Sequence, residues 1–584
     1  MRSIQFQANF IYVTVPFDEK SKLVTYAPGG VWSEKAYAWR YNATLSVFLN
    51  LLAFDKPLIK AAIDKNERFR EWALHASHVA LRIEDLQHNV GELPDFGAYE
   101  FASPPYDHQR RAMAFALNVP RSNLWLDLGL GKTYTAINVA RYRWQQGQVF
   151  KVLVLAPVSI LRQWAREVKK YAPEATASVV CGPSRLKANI IRNAPNGGGL
   201  HFTLMSYESA VGLKAPIIET QYDMLIMDES TKIKNPKAQR STSAIQIASS
   251  IPYAMALSGL PYLNNPIDLY SQFRAIDSTV YGENLYRFEK KYVEKVRRKN
   301  FSIITGARNI DDLKLRAYRA TISRTKKDCL DLPDKIYVTQ DIPLTSDQLG
   351  AYVDIINAFL DNDVDEPTGD KAAAVTTYSL KEKTLANILG VISKLVQITS
   401  GWMSTEDGVR WLGSHKYQAL LDLLEEYPEK FIIWVHHKYT SDKLLQTLMA
   451  QDIPVAALNN TLSSTRREQV IHDFRYTDKV RCLVASLDSE HKGLDLTAST
   501  PVNAIFFENT ASLDMRWQAE SRQHRINMVG SATYVDLIAE GTIDESLKAL
   551  LDSKLNVAEY IVKHGAEAML APNIKRKGLK IHGR

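Results

Sequence analysis

The sequence predicts an α/β protein with two separate parallel sheets and a small amino-terminal α+β module. Three observations carry that expectation. Short apolar runs alternate with helical patterns twice, over about 106–275 and again over about 431–538, and such alternation forms parallel sheets through crossover connections. At 584 residues the chain is about four times the ~150 of an average domain. A composition of 46% hydrophobic and 23% charged residues is that of an ordinary globular chain and excludes wholesale disorder.

In chain order, residues 4–15 read as one strand, because Ile4, Phe6, Phe10 and Tyr12 share a face at period 2. Pro28-Gly29-Gly30 marks a turn, Val31-Trp32 and Tyr37 to Tyr41 read as a hairpin, and Leu45 to Phe54 reads as a helix. This module is expected to occupy 1–98. Over 99–335 the strands are Leu124 to Leu128, Val152 to Leu155, Phe202 to Met205, Met224 to Met227 and Tyr253 to Leu257, with a helical protrusion over about 276–330. Within it, Arg287 to Asn300 reads as a basic helix, with Lys290, Lys291, Lys295, Arg297, Arg298 and Lys299 against Glu289 and Glu294. The second α/β region, 336–562, begins with a helical insertion over about 345–410, broken by a polar loop around Asp361 to Asp370. Its strands are Phe431 to Val435, Pro454 to Leu458, Cys482 to Ala485, Ala504 to Phe507 and Tyr534 to Ile538. A basic tail follows over 563–584, with five Lys/Arg and no acid from Ala571 onward.

The 72 Lys+Arg against 64 Asp+Glu leave +8, which suits a polyanionic partner and equally a mildly basic enzyme surface. Three cysteines, Cys181, Cys329 and Cys482, lie too far apart for a disulfide framework or a zinc-ligand spacing, and fit a reducing cytoplasm. The start, MRSIQFQANFIYVTV, alternates apolar and polar residues and lacks the layout of an export signal. No stretch approaches the ~20 apolar residues of a spanning helix, so no membrane anchor is expected.

Chemistry enters at Gly129-Leu130-Gly131-Lys132-Thr133, which follows a strand and opens a helix. That geometry points backbone N–H groups at a phosphate. Gly129 and Gly131 allow the tight turn, Lys132 reaches the β/γ-phosphates of ATP, and the Thr133 hydroxyl ligates Mg²⁺. The first glycine of the full phosphate-loop pattern is replaced by Leu126. Asp228 and Glu229 close an apolar run, at the end of a parallel strand where α/β sheets collect ligand groups. Asp228 can hold Mg²⁺, and Glu229 can orient and deprotonate the attacking water. Far downstream, Gln518, Arg522 and Arg525 fall at i, i+4 and i+7, one face of a helix, where two guanidinium forks suit triphosphate oxygens.

The order of motifs resembles the Swi/Snf-type ATPases of helicase superfamily two, from about Pro104 to Ile543. PYDHQ at 105–109 is similar to the adenine-reading Gln motif, LDLGLGKT at 126–133 to motif I, and LVLAPVSILRQWAREV at 153–168 to motif Ia. MSYES at 205–209, MDESTKIKNP at 227–236, ALSGLPYLNNPIDLY at 256–270 and ISRTKKDCLDLPDK at 322–335 follow in order. FIIWVHHKYTSDKLLQTL at 431–448, NNTLSSTRREQVIHDF at 459–474, GLDL at 493–496 and QAESRQHRI at 518–526 are similar to motifs IV to VI. The resemblance implies two RecA-like parallel-sheet lobes with helical insertions, closing on ATP and gripping duplex DNA. It implies that Gln109 reads adenine and that Arg522 and Arg525 stabilise the γ-phosphate, the second as the arginine finger. It further implies that Ser258, Gly259, Gly493 and Asp495 couple hydrolysis to movement, and that Ser159, Arg162, Trp164 and Lys438 line the DNA track.

The chain departs from the family pattern at Thr231, where the fourth position of motif II is usually His, at Leu260 in motif III, and at Glu490-His491 in motif V. The last departure and GARNIDDL at 306–313 resemble the annealing-helicase branch. The hairpin from Gly29 to Tyr41 resembles the HARP modules with which that branch grips branched DNA, and equally suits Trp32 and Trp39 packing on the next helix. The expected function is ATP-driven translocation on duplex or branched DNA without sequence preference, in a compact bacterial or phage-like member. A strand-separating helicase acting on DNA or RNA, and a binding protein that has lost hydrolysis, remain open alternatives.

Overall fold

The computed structural model describes residues 2–7, 9–195, 197–259, 266–297, 302–360, 385–459, 461–487, 494–525, 528–553 and 569–570. It divides into two compact units. The first holds 1–294 and 306–330, and the second holds 295–305 and 331–584. Leu260, Arg298, Lys299, the 361–370 loop, Glu490-His491, Gly493 and the tail from 571 lie outside the described residues.

The amino-terminal module is a four-stranded antiparallel sheet, ordered Ser3–Gln7, Phe10–Thr14, Ala38–Asn42, Val31–Ser33. The single strand expected over 4–15 is therefore a hairpin. Gln7 pairs with Phe10, so Phe6 faces Ile11 and Ile4 faces Val13. A reversal with that register flips parity, because residues opposite each other share a face. Ile11 and Val13 enter the core, and Phe10 and Tyr12 take the other face. Helices Leu45–Phe54, Lys56–Lys65 and Glu67–His88 pack on the sheet. Asp55 and Asn66 divide them by capping, each accepting a backbone N–H at 3.0 Å from Leu58 and Phe69. The module is bonded into its unit. Asn50 Oδ1 accepts from Arg316 and Arg319, its Nδ2 donates to Thr279 O, and Arg324 donates to the carbonyls of Leu86 and Gln87.

The first unit's main sheet has seven strands, all parallel, ordered Thr321–Arg324, Arg121–Leu126, Tyr253–Ser258, Met224–Asp228, Lys151–Ala156, His201–Ser206, Thr176–Val179. Its inner strands are buried on both faces, the usual state of a parallel sheet, while the edge strand Thr176–Val179 is partly exposed. Val152, Val154 and Ala156 pack with helices Asp107–Asn118, Lys132–Gln145 and Leu161–Tyr171, while Leu153 and Leu155 pack toward Tyr207–Gly212 and Gln239–Ser249. The basic helix expected over 287–300 is a helix over Leu285–Tyr292 followed by a strand, Val293–Arg297, paired with Ser302–Ala307. The β-branched Val293 and Val296 favour extended backbone there.

The second unit's sheet has six strands, again all parallel, ordered Lys335–Ile342, Ala532–Ala539, Val502–Phe506, Lys430–Val435, Cys482–Ser486, Val455–Leu458. Ile432 and Trp434 enter one core and Phe431, Ile433 and Val435 the other. Helices Ser346–Leu360 and Leu385–Thr399 form a third cluster with Ile543–Ser553. The α/β class with two parallel sheets and an amino-terminal α+β module is thus the observed one. Among the described residues no helix is long and apolar enough to cross a membrane.

Candidate functional site

The strand Arg121–Leu126 leads through Asp127 to Gly131 into a helix that starts at Lys132. Gly129 and Gly131 adopt φ of 93° and 81°, a region that L side chains resist. Gly131 is also required by close approach, since a Cβ there would stand 2.2 Å from Gln109 Nε2. Gln109 braces the turn from behind. Its Nε2 donates to Leu130 O at 3.2 Å, and its Oε1 accepts the Tyr106 N–H at 3.0 Å. His108 Nε2 lies 3.0 Å from the same carbonyl, and burial pushes that imidazole below its ordinary pKa, toward the neutral form. The Lys132 ammonium donates to Leu126 O at 2.9 Å, at the end of the strand before the turn. The helix start presents backbone N–H groups and a positive dipole end, with the half-buried Thr133 in its first turn.

Asp228 ends the strand Met224–Asp228, separated from Arg121–Leu126 by the strand Tyr253–Ser258 alone. Ser258 and Gly259 therefore stand at the end of the strand between the phosphate turn and the carboxylates. Asp228 Oδ2 accepts the indole N–H of Trp164 at 2.8 Å, and Oδ1 accepts the Glu229 N–H at 2.9 Å. Its backbone carbonyl accepts the Tyr207 hydroxyl at 2.8 Å. Burial, then the neighbouring Glu229, raises the Asp228 pKa to about 6, against the Trp164 hydrogen bond and the Lys132 charge. The Lys132 influence shows that turn and carboxylate share one electrostatic environment. Glu229 is buried and adopts φ of 49°, a left-handed conformation rare for a residue with a side chain. Next to it, Ser230 Oγ donates to Gln272 Oε1 at 2.7 Å.

Trp164 corrects its expected place on a DNA track. It is 1% exposed, so its ring cannot meet a duplex. Leu161, Trp164 and Val168 recur at i, i+3 and i+7 and form the buried face of their helix, a signal present in the sequence. On the same segment Arg162 is exposed and Ser159 Oγ is buried with no hydrogen-bond partner among the described residues. Tyr207 and Gln272 bear on Asp228-Glu229-Ser230 and carry no local signal.

In the second unit, Gln518, Arg522 and Arg525 do not share a helical face. The helix Leu513–Glu520 stops before Arg522, where Ser521 Oγ bonds back to Gln518 O at 2.9 Å. Gln518 donates to Asp514, Arg522 is 5% exposed, and Arg525 Nε donates to Ser521 O at 3.0 Å. Asp495 accepts from Thr497 Oγ1 at 2.7 Å and from Arg475 Nη2 at 3.0 Å, which fixes the chain after Gly493. Lys438 is exposed at the start of the helix Lys438–Met449.

With this geometry in place, residues 108–401 match the SNF2-related domain family, half of the chain, and residues 415–527 match the helicase conserved C-terminal domain. The chain belongs to the SNF2-related family. The SWI/SNF-related matrix-associated actin-dependent regulator of chromatin subfamily A-like protein 1 of Xenopus laevis is 26% identical over 454 residues, covering 77% of this chain and 43% of that protein. The DNA annealing helicase and endonuclease ZRANB3 of Bos taurus is 25% identical over 465 residues, covering 77% of this chain and 40% of that one. This SNF2-related chain thus spans less than half the length of these two relatives. Among solved structures, the Sulfolobus solfataricus SWI2/SNF2 ATPase core in complex with dsDNA aligns over 84% of this chain and 99% of that one, at 22% identity and a TM-score of 0.37.

Proposed function

We propose that the protein is a DNA-dependent ATPase that moves on duplex or forked DNA, remodelling or annealing it or displacing bound protein. The observation that carries this is the phosphate turn braced by Gln109 and the buried pair Asp228 and Glu229, both at the carboxyl ends of inner strands of one parallel sheet. In this reading Gln109 reads adenine, the N–H groups of Gly129 to Thr133 and the Lys132 ammonium hold phosphates, and Glu229 takes a proton from the attacking water. Arg522 and Arg525 stabilise charge on the γ-phosphate. Asp228 and the Thr133 hydroxyl are hard oxygen donors and fit Mg²⁺, which binds through one or two carboxylates plus substrate phosphates and needs no all-protein cage. When bound, the ion neutralises charge on the phosphate oxygens. The burial that raises the Asp228 proton affinity also favours a cation there.

The name of the annealing helicase relative, and a net charge of +8, support DNA as the partner, held through its phosphates and without sequence preference. In this reading the exposed Arg162 and Lys438, each on its own unit, and the backbone at Ser159 meet DNA phosphates, and Ser258, Gly259, Gly493 and Asp495 act in coupling. Three free cysteines suit the cytoplasm of a bacterial or phage-infected cell. Steady-state ATP hydrolysis by the wild type and by Lys132→Ala and Glu229→Gln, titrated with blunt duplex, forked DNA, single strands and RNA, tests the proposal. Stimulation by duplex or fork that both substitutions abolish is expected. Stimulation by single strands or RNA alone would replace the translocase with an unwinding helicase, and no hydrolysis would leave a binding protein.

A further inference from the structure

Asp228 is held by an indole. Three of the described buried carboxylates of the second unit are held by cations. Asp544 is paired with Lys416, Asp536 with Arg516, and Glu520 with Arg516 and Lys335. A cationic partner at Asp228 would cancel the charge that a divalent ion must find there. Trp164 offers instead one neutral N–H on a rigid ring, fixed by its own burial at 1% exposure. It takes a lone pair of Oδ2 as the Glu229 N–H takes one of Oδ1, which sets the carboxylate plane from two sides and leaves its charge intact. The same helix, Leu161–Tyr171, exposes Arg162 and Arg166 on its other side. Trp164 therefore connects a helix with an exposed basic face to the carboxylate at the end of its strand.

We propose that Trp164 is a positioning residue for Mg²⁺ at Asp228, and that through it the helix carrying Arg162 and Arg166 sets the orientation of the metal-binding carboxylate. Trp164 acts through Asp228 and touches no reacting atom. Its role presupposes the ATPase activity proposed above, and the two are separable by experiment.

The test uses full-length protein and the substitution Trp164→Phe, which keeps an aromatic ring and removes the N–H. Trp434→Phe is the control, because Trp434 is also buried, at 3% exposure, in the second unit and its Nε1 has no hydrogen-bond partner among the described residues. Three quantities are read: the Mg²⁺ concentration giving half-maximal ATP turnover, the affinity for ADP with and without Mn²⁺ by calorimetry, and the melting temperature. Groups that orient metal ligands typically cost 10–100-fold in metal affinity or activity when removed. Trp164→Phe is expected to raise half-saturating Mg²⁺ by about tenfold or more and to erase the Mn²⁺-dependent gain in ADP affinity. Metal-free ADP binding should stay as in the wild type, and Trp434→Phe should change none of these. An unchanged metal dependence in Trp164→Phe, or an equal loss of metal-free ADP binding, overturns the positioning role. Absence of hydrolysis in the wild type would remove the ATPase proposal, and the ADP titration would still decide on Trp164. Should the Phe protein melt below assay temperature, Trp164→Met serves in its place, since it has no side-chain donor to offer Asp228.

Discussion

Each sheet sends a strand through a short turn into a helix, and the two turns are completed differently. In the first, Arg121–Leu126 passes through Gly129-Leu130-Gly131 into Lys132–Gln145, and in the second, Lys430–Val435 passes through His436-His437 into Lys438–Met449. Both helix starts offer N–H groups and a positive dipole end to an anion. The second lobe supplies its own anion. Glu508 accepts the N–H of His436 at 2.6 Å and of His437 at 2.8 Å, and the Thr440 hydroxyl at 2.6 Å. Burial alone would raise its pKa, yet the His437 ring, then Thr440, outweigh burial and bring it down to about 2. In the first lobe the braces on the glycine turn are an amide and an imidazole, and the carboxylates stand on another strand. Asp228 there is pushed up to about 6. One strand-turn-helix unit is an internal lock and its counterpart, in the function proposed, a nucleotide cradle, and the difference is whether a carboxylate of the chain caps the turn itself.

Asp228→Asn should give the largest effect. ATP turnover is expected to fall roughly 10³-fold, about 4 kcal/mol of barrier. The melting temperature should hold or rise, because the buried charge it removes costs up to about 3 kcal/mol above pH 6. Steady-state kinetics and calorimetry on the same preparation read both. A fall in melting temperature would mean that Asp228 is a structural lock like Glu508, and the contrast between lobes would collapse.

The parallel sheets were legible because both repeat apolar runs at strand length, and the candidate site because glycines, lysine and paired carboxylates sit at strand ends, which the fold brings to one sheet. What escaped depended on partners distant in sequence. Trp164 looked like a surface residue of motif Ia until Asp228, on a different strand, accepted its N–H. Glu508 follows an apolar run in the sequence, and nothing near it announces bonds to His436 and Thr440. The helical face drawn through Gln518, Arg522 and Arg525 ran past a helix end that Ser521 creates. Period-2 reasoning over 4–15 failed at a reversal that preserves alternation while exchanging faces.

Glu508→Gln should give an intermediate effect with a pH signature. The folded-state pKa is lowered from 4.5 to about 2, so its stabilisation is fully present above pH 4.5 and lost as pH falls toward 2. The wild type should exceed Glu508→Gln by about 3 kcal/mol above that window, with the gap closing below it. The Asp228 carboxyl has the opposite sign. Its folded pKa is raised from 3.8 to about 6, so the cost it imposes opens as pH rises through that interval and is full above it. Paired melting curves from pH 3 to 7 for Glu508→Gln, Asp228→Asn and the wild type should therefore diverge in opposite directions. Parallel curves would show that the two carboxylates are not held differently.

The smallest effect sharpens the comparison at the turn itself. Gly131→Ala imposes a side chain on φ of 81° and drives a Cβ into Gln109 Nε2. Strain of this kind costs on the order of 1–3 kcal/mol, and because it falls on the cradle it should appear as a loss of roughly tenfold in ATP affinity. Gln109→Ala removes the clashing amide and with it the brace on Leu130, so the two changes share one cause. The double variant should bind a fluorescent ATP analogue more tightly than the sum of the single losses allows, as residues in contact do. Strict additivity would show that Gln109 does not hold the turn. His437→Ala, at the matching turn of the second lobe, should lower the melting temperature and leave nucleotide affinity unchanged, because the anion bound there is the chain's own Glu508.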